Sequence, residues 1–215
     1  RRDFREHVCF TIDPEDAKDF DDALSVKKLK KNIFEIGVHI ADVSHYVKPN
    51  TMIDKDAAQR GCSVYLANQV IPMLPEKLAN KLCSLRPLED KLCFSIVFNI
   101  NKNGEVLSNW IGKTIVESKK RFTYKQAQSV LNKKEGDFYN ELEILNTTAK
   151  ALRSNRIKNG SVIIEKKEVL IKFDNEKPVK PYFKQPIETN KLIEEFMLLA
   201  NQFVCKYFNK ELGGV

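Results

Sequence analysis

The sequence predicts a mixed α+β fold, with a largely antiparallel or mixed β-sheet and helices packed on it. Two observations carry this. Apolar, β-rich runs come early and in hairpin-like pairs, and segments with helical spacing accumulate in the second half. No internal repeat, low-complexity tract or clean domain boundary separates the two.

The elements follow in order. "HVCFTI" (7–12) reads as a buried strand, and Pro14 bars its simple continuation. "ALSVKKL" and "IFEIGVHIADV" form a hairpin through the Lys-rich turn around Lys30 and Asn32. "IDKDAAQR" (53–60) is a short helix with Gly61 as its stop. Residues 70–85 carry two prolines and then a short helical pattern. "LCFSIVFNI" (92–100), the turn "NKNG" (101–104) and "EVLSNWIGKTIVES" make a second hairpin. Thr123 is a good N-cap for a helix through "TYKQAQSVL". In 137–158, Phe138, Leu142, Leu145, Ala149 and Leu152 share one helical face. "EVLIKF" (168–173) is a strand and "KPVKPYFKQP" (177–186) a proline-punctuated loop. The last element, 187–208, aligns Ile193, Phe196, Met197, Ala200, Phe203, Val204 and Tyr207 on one helical face.

Composition narrows the function. Of 215 residues, 42% are hydrophobic and 30% charged, as in ordinary soluble domains. No apolar run approaches the roughly 18 residues of a membrane span. "RRDFREHVCF" has no apolar core of a secretory signal, and without an initiator Met the chain is expected to begin inside a longer protein. Cys9, Cys62, Cys83, Cys93 and Cys205 are odd in number and lack CxxC spacing, so they read as buried thiols in a reducing cytosol. A pI near 9.0 and a net charge of +7 favour a polyanionic partner such as nucleic acid.

Against that basic background, "TIDPEDAKDFDDA" (11–23) holds six acids: Asp13, Glu15, Asp16, Asp19, Asp21 and Asp22. Carboxylates so close repel one another unless protonated or neutralised. Mg²⁺ resolves the conflict, because it accepts carboxylate oxygens, keeps waters and bridges to phosphates. The EF-hand pattern fails. Counting from Asp13, Ala17 stands fifth, Lys18 takes the glycine position and Leu24 ends the loop. A plain solvated loop is the other reading, and the apolar strands on both sides weigh against it. His39, Asp42 and His45 in "HIADVSH" are spaced by three, but at a strand end they read as hydrogen-bonding residues rather than zinc ligands. Serine-nucleophile, P-loop and GxGxxG motifs are lacking. Between 119 and 134, Lys119, Lys120, Arg121, Lys125, Lys133 and Lys134 surround Phe122 and Tyr124 with no acid. Such a stretch can hold a single strand by phosphate contact and base stacking, or be a solvated face with core aromatics.

"TIDPEDAKDFDDA" resembles the acidic signature of the ribonuclease II/ribonuclease R family, whose catalytic unit is the RNB domain. "RRDFRE", "GVHIADVSHYV", "RGCSVYLANQVIPMLPEKLANKLCSL", "VESKKRFTYKQAQ" and "LIEEFMLLAN" are similar to family segments in the family's order, in a style closer to ribonuclease R. The resemblance implies a Mg²⁺-dependent, processive 3′→5′ exoribonuclease that degrades single-stranded RNA to nucleoside 5′-monophosphates. It implies Asp13, Asp19, Asp21 and Asp22 as catalytic, with Asp13 and Asp22 as direct metal ligands, Asp19 supporting the metal and Asp21 most critical for cleavage. Tyr65 matches an aromatic near the RNA 3′ end, Tyr124 one at the far end of the held segment, and Glu194 or Glu195 a substrate-contacting acid. Lys119, Lys120 and Arg121 join the expected RNA contacts. Ile164 stands where the family often has a stacking Phe.

Residues 1–215 are expected to form only the first part of an RNB domain. A later Arg-rich segment and the flanking cold-shock-like and S1 domains lie outside them. The expectation is a weak or inactive fragment exposing apolar surface. The whole protein is expected to be cytoplasmic and monomeric, off the membrane, with RNA-degradation or ribosome-associated factors as partners. The alternative is a non-catalytic RNA-binding or scaffold protein on an RNB fold. Such relatives lose members of the acidic quartet, and this sequence keeps all four.

Overall fold

Period-two alternation in the early strands builds a sheet with two buried faces. The computed structural model describes residues 1–66, 69–163, 168–174, 177–184, 186–211 and 213. The first four strands are β1 (Arg2–Asp3), β2 (Cys9–Asp13), β3 (Asp22–Lys30) and β4 (Ile33–Ala41). After the short helices α1 (Val43–Tyr46) and α2 (Met52–Arg60) come a small ribbon of β5 (Val64–Tyr65) and β6 (Val70–Ile71), and a π-helical turn, Leu78–Leu82. The hairpin β7 (Asp90–Asn101) and β8 (Val106–Glu117) leads to β9 (Lys120–Thr123). Helices α3 (Tyr124–Lys133) and α4 (Tyr139–Lys158) precede the ribbon β10 (Glu168–Asp174) and β11 (Lys177–Lys184), and α5 (Glu188–Glu211) follows.

Among the described residues the main sheet has seven strands in the order β1-β8-β7-β4-β3-β2-β9. Its interior ladders are antiparallel, and both edge strands, β1 on β8 and β9 on β2, pair parallel. One face presents Phe10, Ile12, Leu24, Val26, Ile36, Val38, Ile96, Phe98 and Ile100, covered by Ala127, Leu142, Leu145, Leu192 and Phe196 of the long helices. The other presents Cys9, Ala23, Ala41, Cys93, Val97 and Val116, covered by Phe4, Leu78 and Leu85.

The expected N-caps and stops are in place. Thr123 and Gln126 form a reciprocal capping box on α3. Gly61 ends α2 at φ 72°, a conformation that favours glycine. The five cysteines are free thiols, and Cys9, Cys83 and Cys93 are buried as expected, whereas Cys62, just past the end of α2, and Cys205, on α5, are exposed. Four further expectations are corrected. Residues 177–184 are strand β11, not loop: a two-stranded ribbon leaves each strand an open edge, where a proline lacking its N–H is tolerated. The "IFEIGVHIADV" strand ends at Ala41, and Val43 already begins α1. The helical pattern before Cys83 is a single π turn rather than an α-helix. The start of the basic stretch is edge strand β9, too short for alternation to reveal it. Ile164 lies outside the described residues.

His39 is fully buried and hydrogen-bonded on both ring nitrogens, Nδ1 to Ser95 Oγ at 2.7 Å and Nε2 to Ser25 Oγ at 2.8 Å. Burial pushes its pKa down to about 3, so the ring is neutral. A Cβ on Gly37 would come within 2.5 Å of both His39 Nε2 and Ser25 Oγ, so glycine is what lets this contact form. Asp42 pairs with Arg1 at 2.7 Å and Lys113 at 3.3 Å. Burial alone would raise its pKa, but hydrogen bonds from Arg1, Ser44 and Lys113 hold it down at about 2. Neither residue is a zinc ligand in this arrangement.

The adjacent glutamates of α5 differ sharply. Glu195 is 3% exposed and forms a forked pair with Arg156 of α4 at 2.5 and 3.1 Å, while Glu194 is exposed. Glu195→Ala strands Arg156 and is expected to cost about 3 kcal/mol, whereas Glu194→Ala stays within about 0.5 kcal/mol. Chemical denaturation of the two variants checks the contrast.

Candidate active site

The acidic loop is the connection between two strands that cannot move apart. All five residues of β2 are buried, and β2 lies between β3, antiparallel, and β9, parallel. Asp13 ends β2 opposite Thr123, and Asp22 begins β3 opposite Ile40. The strands therefore deliver two carboxylates to one edge of the molecule, and residues 14–21 join them without helix or strand.

Asp13 is 6% exposed and accepts the Thr11 hydroxyl at 2.6 Å. Burial pushes its pKa up to about 7. The Thr11 bond and Arg121 oppose that shift, and the charges of Asp22 and Asp19 add to it. Burial and the charge of Asp21 push Asp22 up to about 6. Asp21 is the most exposed of the four, yet surrounding protein and Asp19 still raise its pKa.

Three fasteners hold the loop from outside. Arg121 of β9 donates from Nη2 to the Pro14 carbonyl and, at 3.1 Å, to the Glu15 carbonyl, with its guanidinium over the Phe20 ring. Ser84 Oγ meets the Phe20 amide and the Lys18 carbonyl, and Leu85 N–H donates to the Phe20 carbonyl at 2.8 Å. Ala41 N–H donates to the Asp21 carbonyl at 2.9 Å.

The expected RNA contacts divide. Tyr65, 70% exposed, lies near enough to Asp19 and Asp21 for their charges to add to the rise that burial produces in its pKa. Tyr124 lies beside Asp22 and Asp13. Burial and those two charges push its phenol up to about 12, and a hydrogen bond with Asn190 opposes the shift. The three bases have partners within the chain. Lys119 meets Glu117 at 2.6 Å, Lys120 meets Asp137 at 2.5 Å, and Arg121 holds the loop. Ser84, Thr11 and the clamping role of Arg121 were not foreseen. Ser84 and Arg121 act on backbone groups distant in sequence, which leaves no local pattern, and Thr11 meets Asp13 through side chains two residues apart, a spacing that does not by itself signal a bond.

Among the described residues no group of three or more His, Cys, Asp or Glu side chains stands close enough to hold a metal ion alone. The donor set nevertheless fits Mg²⁺, which takes one or two carboxylates and completes its shell with water and substrate phosphate. Asp13 and Asp22 offer hard oxygens whose pKa values are raised chiefly by burial, with neighbouring carboxylate charge adding to the rise. These two would hold the ion, with Asp19 beside them.

The RNB domain family matches residues 1–214. The chain is 42% identical to ribonuclease R of Thermotoga maritima over 220 residues, covering 97% of this chain and 30% of that protein. It is 39% identical to DIS3-like exonuclease 2 of Schizosaccharomyces pombe over 230 residues, covering 99% of this chain and 25% of that one. The structure of Mycoplasma genitalium RNase R in complex with ribose-methylated single-stranded RNA superposes with a TM-score of 0.93 at 33% identity, over 98% of this chain and 34% of that one. The chain thus spans between a quarter and about a third of the length of these relatives.

Free of divalent ions, ionised Asp13 and Asp22 oppose folding. Their pKa values rise on folding, so between about pH 4 and the folded values the native state holds protons that the unfolded chain has released. Stability from these groups is therefore greatest below about pH 4, and it is lost as pH climbs through about 6 for Asp22 and about 7 for Asp13. Metal-free Asp13→Asn is expected to be about 2 kcal/mol more stable than wild type near pH 8, with a smaller difference near pH 5. Urea denaturation at the two pH values measures it.

Proposed function

Since the chain belongs to the RNB domain family, we propose that it supplies the acidic centre of a Mg²⁺-dependent, processive 3′→5′ exoribonuclease. The substrate is single-stranded RNA and the products are nucleoside 5′-monophosphates. The observation that carries this reading is the pair Asp13 and Asp22. Two desolvated carboxylates are fixed at neighbouring strand ends, with Asp19 and Asp21 in the loop between them, Tyr65 within reach of the charges of Asp19 and Asp21, and Tyr124 within reach of those of Asp22 and Asp13.

Mg²⁺ bound there would supply charge to the scissile phosphate and lower the pKa of a bound water. Asp13 and Asp22 hold the ion, and Asp19 supports them. Asp21, open to solvent, orients the attacking water. Tyr65 offers an exposed ring to a base near the 3′ end. Tyr124, its phenol kept protonated, contacts the RNA at the far end of the held segment. Glu194, the exposed member of its pair, contacts substrate, since Glu195 is taken by Arg156.

The whole protein works as a cytoplasmic monomer with RNA-degradation factors as partners, and the 215-residue chain alone is weak or inactive. Ile40 and Phe94 support the latter point. They stand in register beside Asp22 and remain 40% and 41% exposed, an apolar surface that further protein would cover. Among the described residues, no helix is long and apolar enough to cross a membrane.

The full-length protein should shorten 5′-labelled single-stranded RNA from its 3′ end with Mg²⁺ and not with EDTA. Asp21→Asn should slow cleavage by about 10³-fold or more while RNA binding persists. Normal cleavage by Asp21→Asn removes the role given to that carboxylate. Tight RNA binding by wild type without cleavage would favour the scaffold reading instead.

A further inference from the structure

One buried hydroxyl holds the acidic loop at its centre. Ser84 is fully buried. Its Oγ accepts the Phe20 amide at 3.0 Å and donates to the Lys18 carbonyl at 3.3 Å. The backbone on both sides of Asp19 is therefore tied to a single side chain. A hydroxyl is suited to this, because it accepts and donates at once.

The platform beneath Ser84 is itself fixed. Cys83 N–H closes the π turn on Leu78 at 2.9 Å, Leu85 is fully buried and bonded to Phe20, and Leu88 N–H donates to the Ser118 carbonyl at 2.8 Å. Lys91, 6% exposed, reaches the Lys81 carbonyl at 2.6 Å. By contrast the loop from 14 to 21 has no ladder or helix of its own, and unheld backbone of that kind samples many conformations.

We propose that Ser84 is a positioning residue for the acidic centre: by fixing the Lys18 carbonyl and the Phe20 amide it sets the directions in which Asp19 supports a divalent cation held by Asp13 and Asp22 and in which Asp21 orients the water beside it. This rests on the metal-dependent reading above. Ser84 touches neither the ion nor the RNA and acts through the loop backbone alone. Ser84→Ala leaves the carbonyl and the amide to seek other partners, so the loop shifts and the carboxylates lose their common aim. RNA-holding groups on β5, α3 and α5 stay where they are.

The test compares full-length wild type, S84A and S95A. The last breaks a buried hydroxyl contact to His39 elsewhere in the sheet. Mn²⁺ binding is read by electron paramagnetic resonance, RNA binding by fluorescence anisotropy without divalent ions, and the Phe20 amide by hydrogen exchange. S84A is expected to weaken Mn²⁺ binding about tenfold, to speed Phe20 exchange and to keep RNA affinity within about twofold, with S95A binding Mn²⁺ as wild type does. Unchanged Mn²⁺ affinity in S84A, or an equal loss in S95A, overturns the role of Ser84 while the metal-dependent reading stands. A wild-type protein that takes up no Mn²⁺ overturns that reading and the role of Ser84 together.

Discussion

Asp13 and Asp22 repel each other in surroundings too dry to screen them, and the sheet prevents them from separating. β2 is locked between an antiparallel neighbour and a parallel one, and all five of its residues are buried. Coulomb repulsion between groups free to move is relieved by a small displacement. At these neighbouring strand ends it adds to what burial does: burial chiefly raises the pKa of Asp13 and the charge of Asp22 adds to it, while burial and the charge of Asp21 raise that of Asp22. The rest of the architecture follows from that confinement. Thr11 stabilises one carboxylate, Arg121 and Ala41 hold the loop near its two ends, and Ser84 with Leu85 holds it towards its middle.

Much of this was legible in the sequence, for identifiable reasons. The long hairpins show themselves through alternation that two buried faces reinforce, and the helices through the spacing of Leu142, Leu145 and Ala149 or Ile193, Phe196 and Ala200. The six acids are local in sequence, so their crowding could be read directly. β9 could not, because four residues beginning Lys-Arg carry no period and gain their place from pairing with β2. β11 was hidden by prolines that an open edge tolerates. Glu194 and Glu195 are chemically identical neighbours, and only the position of Arg156 on another helix separates a buried ion pair from an exposed acid.

The basic charge shows the limit of composition as a guide. A net charge of +7 suggests a surface free for polyanions. Yet Lys119, Lys120 and Arg121 are engaged within the chain, and Arg1 and Lys113 neutralise buried Asp42. Arginine suits the loop contact in particular, since its planar fork reaches two carbonyls while its face rests on Phe20. Charge engaged in holding a loop in place acts through the acids it orders rather than on a partner directly.

The distances along the chain between the loop and its fasteners have a consequence for biogenesis. Ser84 lies 64 residues beyond Phe20, and Arg121 lies 107 beyond Pro14. Synthesis proceeds from the N-terminus, so the ribosome releases the acids early and the residues that order them much later. Pairing across such separations must also bear the loop-closure entropy before any contact compensates it. Until Ser84 and Arg121 have emerged, the acidic segment lacks the side chains that fix its backbone. The clamp on the acidic loop is complete only when β9 has docked beside β2, which makes the arrival of one short edge strand the moment at which these carboxylates first acquire their fixed spacing.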